Sequence, residues 1–304
     1  MSGAAPRLGF IGLGVMGAPM CANLARKAGA AVTCFDLDPA RAAGPREAGA
    51  AVAPSVAALA RAADIVFLCL ADGRATESVG AEVLRTWTAA GRRGTLADTG
   101  TTSVRVTQSL AALAAAGGHA FADAPVARMP EAAIAGTLSI MAGGSAGTLD
   151  ALMPYLRCMG TDITHCGPAG AGQVVKILHN TFLFETVHAL AEVLAIARRH
   201  GVDGDVLFHA IELGSADCRA VRVQGRQALL PGDFPGGRFP ARYALKDVSL
   251  ALELAEAAGV AATVGRHTAD VLARSCGAGD ADRYYPVLYK QIDTQIDKQI
   301  DTAG

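Results

Sequence analysis

Lysine is scarce in this 304-residue sequence: of 27 lysines and arginines only five are lysine, at positions 27, 176, 246, 290 and 298. Solubility rests little on lysine, so any lysine set among apolar residues calls for a specific explanation. A surplus of either charge is also missing. The net charge of −1 gives no general attraction to nucleic acid or to anionic membranes. Seven cysteines are present but no C-x-x-C pair. Cys34 and Cys69 fall in apolar, strand-like runs, which predicts free thiols packed as small core residues in a reducing compartment. Histidine shows no metal-ligand spacing, His165-Cys166 included, so no metal is expected. The longest apolar segment, about residues 182–197, is interrupted by Glu185, His188 and Glu192, which argues against a membrane span. A strand-like run begins within the first ten residues, where a signal peptide would lie. The expectation is a cytoplasmic protein.

What is present is a glycine pattern in an informative setting. A short apolar run, Leu8 to Ile11, enters Gly12-Leu13-Gly14-Val15-Met16-Gly17, and a helix-like stretch follows from Ala18 to Ala28. This is G-x-G-x-x-G in the strand–turn–helix context that a dinucleotide pyrophosphate requires. Gly12 permits the tight turn, Gly14 the close backbone approach, and Gly17 the packing of helix on strand. The helix N-terminus attracts the anion through its free N–H groups. A second strand, Ala31 to Phe35, ends at Asp36, 22 residues beyond Gly14. A carboxylate there accepts from an adenosine ribose 2′-OH and repels a 2′-phosphate. The pattern predicts NAD in preference to NADP, with Arg41 as the nearby cation that could oppose Asp36.

With 51% hydrophobic residues the chain can bury a large core and divide into two domains. Strand-like runs at 7–11, 31–36, 64–70, 94–98, 119–124, 138–142 and 162–166 alternate with helical patterns. That order predicts an α/β, doubly wound, parallel Rossmann-type domain over 1–167. After the glycine-rich Gly167–Gly172 the pattern changes to helices at 173–200, 203–213, 216–230, 241–258, 261–275 and 281–300. An all-α substrate and dimerisation domain is expected over 168–304. The chain ends in a Gln-Ile-Asp repeat from Gln291, with Ile292, Ile296 and Ile300 drifting around one helix face, and it is assigned no chemistry.

Lys176 and Asn180 lie at i and i+4 of the helix predicted over 173–200 and therefore share a face, with His179 beside them. The helix is apolar on most sides. A lysine there is costly unless it meets a counter-group or substrate, and desolvation lowers its pKa toward the range of proton transfer.

Five segments, in the same order over roughly residues 8–255, resemble the β-hydroxyacid dehydrogenase family, which includes 3-hydroxyisobutyrate dehydrogenase and the tartronate semialdehyde reductases. They are Gly9–Met20, Asp123-Ala-Pro-Val126, Gly136–Gly144, Gly170-Ala-Gly172 with Lys176 and Asn180, and Lys246-Asp247. The resemblance implies that Lys176 is the catalytic lysine and Asn180 its helper. It places His179, where the family often has a second asparagine, in packing, hydrogen bonding or substrate contact. Cofactor contacts carry over to Leu70-Ala71 (alanine replacing the family's proline), to Thr101 in Asp98-Thr-Gly-Thr101, and to Lys246. Relatives are dimers or tetramers, so a homo-oligomer is expected.

One segment departs from the family. Many members have Val-Ser-Gly-Gly where this chain has Val126-Ala127-Arg128-Met129, followed by Pro130, which removes an N–H donor. The amides that cradle a substrate carboxylate give way to a guanidinium suited to carboxylate, sulfonate or phosphate. The turn thereby resembles the sulfolactaldehyde reductases in part, with Met129 replacing their threonine. A structural ion pair for Arg128, with Glu131 as a partner, is the competing role. Ala127, Arg128, Met129 and His179 are the candidate substrate contacts.

The reading is an NAD-dependent oxidoreductase interconverting a small carboxylate or sulfonate semialdehyde and its hydroxyacid, with Lys176 as general acid/base. Three alternatives stay open: an NADP enzyme of the 3-hydroxyisobutyrate or tartronate semialdehyde type, an imine reductase, and a non-catalytic dinucleotide-binding protein. The last two usually lack a lysine at the position of Lys176.

Overall fold

A computed structural model describes residues 5–293, so Ile296, Ile300 and most of the terminal repeat lie outside the described residues. The chain forms two compact units, Met1–Lys176 and Ile177–Gly304. The division falls inside one helix, nine residues beyond the boundary expected at 167.

The first unit is built on a nine-stranded sheet: β1 (Leu8–Ile11), β2 (Val32–Phe35), β3 (Ala51–Val52), β4 (Ile65–Leu68), β5 (Thr95–Asp98), β6 (Ala120–Asp123), β7 (Val126–Ala127), β8 (Leu138–Gly143) and β9 (Gly160–Gly167). Its spatial order is β3-β2-β1-β4-β5-β6-β8-β7, with β9 paired to β8. The first six run parallel, the doubly wound order that opens a crevice at the carboxyl end of β1 and β4. The side-chain period of two explains the helices on both faces. Leu8 and Phe10 of β1, with Ile65 and Phe67 of β4, enter one core. Ile11, Val66 and Leu68 enter the other. Phe10 and Phe67 are paired in register and their rings stack at 6.2 Å. The expectation of a parallel sheet holds through β6 and again for β8 with β9, but not where the chain enters β8. β8 runs antiparallel to β6 and β7, a reversal that the apolar pattern cannot signal because alternation is the same in either direction.

The long helix, Ala171–Arg199, has no interior glycine or proline after Gly172, and a left-handed Gly201 (φ 72°) follows its last turn. It is long and apolar enough on average to cross a bilayer, yet half of its most apolar window is buried inside the protein. The second unit packs the helices Gly204–Leu213, Ala241–Ala257 and Thr263–Ser275 around a core of Phe184, Phe208, Leu229, Val248, Leu272 and Tyr285. Two helix expectations need correction. Residues Val221–Leu229 are wound as a π-helix. Residues 281–288 make turns and a 3-10 stretch, Tyr285–Leu288, because Tyr284 bridges back to Pro240.

Candidate active site

The glycine turn after β1 shows why each glycine is needed. Gly12 has φ 95°, and a Cβ there would lie 2.4 Å from the Cys69 carbonyl oxygen. A Cβ on Gly17 would lie 2.0 Å from the Gly12 carbonyl oxygen. Gly14 differs: a Cβ there would meet nothing within 4 Å. Folding does not demand a glycine at 14, whereas the close approach of a pyrophosphate to backbone N–H groups does. The residues present therefore fit a dinucleotide. Leu13 is buried, Val15 is exposed and Met16 is partly buried at the start of the helix Gly17–Lys27.

Asp36, just past β2, turns its carboxylate back on this loop. Oδ2 accepts from the Leu13 N–H at 2.6 Å and Oδ1 from the Asp38 N–H at 2.9 Å. The Arg41 guanidinium stands 4.0 Å from Oδ1. Leu70 adjoins the glycine turn, its Cδ2 lying 2.9 Å from where a Gly12 Cβ would be, and Ala71 precedes Asp72, which caps the next helix through the Ala75 N–H.

The loop carrying Thr101 is held by a residue the sequence reading passed over, Gln173. Its Nε2 donates to the Gly100 carbonyl at 2.8 Å, and its Oε1 accepts from the Thr102 N–H at 3.1 Å. Asp98 accepts from the Gly100 N–H within the same loop. No motif marks a lone glutamine in the first turn of a helix. Asp123, at the end of β6, is fully buried and grips the start of the same helix. Oδ1 accepts from the Gly170 N–H at 2.6 Å and Oδ2 from the Gln173 N–H at 2.7 Å. Burial raises its pKa above the usual carboxylate range, and these N–H donors oppose the rise. Gly143 and Gly172 are glycines for this reason: a Cβ on either would come within 2.8 Å of an Asp123 carboxylate oxygen.

Arg128 occupies a left-handed conformation, φ 92°, which favours glycine. Ala127 is buried and pairs with Ser139 in the β7–β8 ladder, while Met129 precedes the short helix Pro130–Ala135. The Arg128 guanidinium pairs with Asp162 at 2.7 Å and donates to the Thr137 carbonyl and, at 3.4 Å, to Thr161 Oγ1. Its ion-pair partner is thus Asp162 of β9 and not Glu131. These bonds use Nη1 and Nη2.

On the long helix, Lys176 is only 7% exposed and Asn180 5%, one helical turn apart. Asn180 Nδ2 donates to Asp247 Oδ2 at 2.7 Å, which fixes the amide's orientation. Lys246 Nζ stands 3.0 Å from the other oxygen, Oδ1, as an ion pair. Asp247 thus touches both the Asn180 amide and the Lys246 side chain. Its only sequence mark was membership of the Lys-Asp pair. His179 is exposed, and its Nδ1 lies 3.1 Å from Asn180 Oδ1.

Comparison with known proteins agrees with this geometry. Residues 7–167 match the NAD-binding domain of 6-phosphogluconate dehydrogenase, and residues 170–288 match the NAD-binding region of NADP-dependent 3-hydroxyisobutyrate dehydrogenase. A protein of Mycobacterium tuberculosis named probable 3-hydroxyisobutyrate dehydrogenase is 37% identical over 88% of this chain and 91% of its own length. The 2-(hydroxymethyl)glutarate dehydrogenase of Eubacterium barkeri is 34% identical over 81% of each chain. The solved structure of Mycobacterium tuberculosis 3-hydroxyisobutyrate dehydrogenase with L-serine superimposes with a TM-score of 0.86 at 33% identity, covering 94% of this chain and 99% of that one. A Rossmann-type unit with this glycine turn, followed by a helical unit entered through a lysine-bearing helix, makes this chain a member of the β-hydroxyacid dehydrogenase family of NAD(P)-dependent oxidoreductases.

Proposed function

We propose that this chain uses NAD to interconvert a small acidic semialdehyde and the matching hydroxyacid, with Lys176 as the general acid and base. The observation that carries the reading is the burial of Lys176 one turn before an asparagine whose amide is held by Asp247. The bound dinucleotide supplies the hydride in reduction and takes it up in oxidation. In reduction the Lys176 ammonium gives its proton to the oxygen that becomes alkoxide, and in oxidation the neutral amine takes the proton from the hydroxyl. Asn180 orients the same oxygen.

The names of the relatives narrow the substrate class. 3-Hydroxyisobutyrate, 2-(hydroxymethyl)glutarate and L-serine share a primary alcohol on the carbon next to the one bearing a carboxylate. A substrate of that pattern, with carboxylate or sulfonate as its acid group, fits a turn at Ala127–Met129 that carries Arg128. Asp36 favours NAD, because a 2′-phosphate beside its carboxylate is repelled. Arg41, 4.0 Å away, is the observation that supports NADP use. On this reading the cofactor set includes Leu70, Ala71, Thr101 and Lys246, and the protein acts in the cytoplasm as a homodimer or homotetramer.

The test is a panel of methylmalonic, succinic, tartronic and sulfolactic semialdehydes assayed with NADH and NADPH. An acidic semialdehyde turned over with at least about tenfold higher kcat/KM for NADH supports the reading. Activity confined to imines, or none on any carbonyl, overturns it.

A further inference from the structure

His188 is an oddity in the second unit, away from every residue assigned above. It lies on the long helix, is 5% exposed, and stands where the sequence predicted only an interruption of an apolar run. Its Nδ1 is 3.0 Å from the hydroxyl of the buried Thr268 on the helix Thr263–Ser275. Its Nε2 is buried and has no hydrogen-bond partner. An orphaned buried ring nitrogen is costly, and it faces two further ligand-type groups. The Glu192 carboxylate, one turn along the helix, is 3.6 Å from Nε2, too far for a hydrogen bond. The His267 ring stacks on His188 at a centroid distance of 5.2 Å. One ligand atom from each of the three residues falls within 4.8 Å of the other two.

We propose that His188, Glu192 and His267 form a binding site for one divalent transition-metal ion of the zinc class, joining the long helix to the helix Thr263–Ser275. Two imidazoles and one carboxylate make the ligand set that zinc accepts in three-ligand sites, with water as the fourth. The set disfavours calcium and magnesium, which take oxygen donors. In the tautomer whose Nδ1–H donates to Thr268 Oγ1, the lone pair falls on Nε2, and a partner on the distal nitrogen is the usual support of a ligating histidine. Glu192 and His267 are exposed, so both are free to change rotamer and close on an ion about 2.0–2.2 Å from each donor. The sequence hid the site because His267 is 79 positions from His188 and adds no local spacing.

The experiment uses the full-length chain without an affinity tag, treated with EDTA and then dialysed. Zinc is titrated by calorimetry, and cobalt(II) by its visible absorption. One ion per chain and a raised Tm on zinc addition are expected. His267→Ala and Glu192→Gln, both at the surface, should each weaken binding at least about tenfold, and Thr268→Val about 10- to 100-fold. All three should melt like the wild type in EDTA within a few degrees, which separates loss of the site from loss of the fold. No binding to the wild type overturns the proposal. So does affinity unchanged in His267→Ala, or a thiolate-to-cobalt band in the near ultraviolet, which would assign the ion to cysteine.

Discussion

On the proposed reading, Lys176 is the residue on which the chemistry turns. It is 7% exposed, and if it moves the proton, removing it should affect the chemical step far more than cofactor binding. Lys176→Ala is expected to lower kcat by about two to four orders of magnitude, while the Kd for NADH, read by fluorescence quenching, stays near the wild-type value. A variant with most of its kcat would take Lys176 out of the mechanism. Asn180 and Asp247 are joined by one 2.7 Å bond, so their losses should not add. Asn180→Ala, Asp247→Asn and the double variant should show a coupling of about 0.5–3 kcal/mol in kcat/KM, and additive effects would mean that Asp247 does not act through Asn180. Arg128 has two possible employments. If it takes the acid end of the substrate, Arg128→Ala should raise KM for acidic aldehydes about 10- to 150-fold and spare neutral aldehydes of similar size. If its pair with Asp162 only braces the turn, then Arg128→Ala and Asp162→Asn should impair charged and neutral substrates alike.

At the scale of elements, the glycine turn separates folding from binding by three residues. Gly14→Ala puts a methyl where nothing lies within 4 Å, so its Tm should match the wild type while NADH binding weakens at least about tenfold, or about 1.4 kcal/mol. Gly17→Ala drives a methyl to 2.0 Å from the Gly12 carbonyl and should lower Tm. Unaltered NADH affinity in Gly14→Ala would mean that the turn does not face a pyrophosphate. This turn was legible because its function and its geometry both demand glycine at fixed offsets. So was the helix face of Lys176 and Asn180, since a period of 3.6 fixes it. β3 and β7 were not, because two residues carry no period. Gln173 and the Arg128–Asp162 pair were not either, since their partners are brought near only by the completed sheet. The π-helical winding of Val221–Leu229 escaped for a related reason: an apolar pattern at helical spacing does not state which carbonyl each N–H will choose.

For the molecule as a whole, the feature that bears on assembly is the exposed face of the long helix. Leu178, Phe182, Val193 and Ile196 are exposed, Phe182 at 73%. At 100° per residue they fall in a stripe about 60° wide, and exposed apolar side chains aligned on one face are of the kind that marks an interface. The family resemblance adds an expectation of dimers or tetramers. Light scattering should give at least twice the 30.9 kDa chain mass, and Phe182→Asp should shift the protein toward monomer without unfolding it. A wild-type monomer would leave the stripe unexplained and remove the oligomer from the reading.

Asp123 has a consequence beyond its hydrogen bonds. By holding the N–H groups of Gly170 and Gln173 at once, it sets the rotational phase of the long helix about its own axis. Each residue of slippage would turn the side chains that follow by about 100°, enough to carry Lys176 to another azimuth. The carboxylate at the end of β6 thus serves as an index mark. It dictates the compass bearing of Lys176 from a grip three residues upstream, at Gln173.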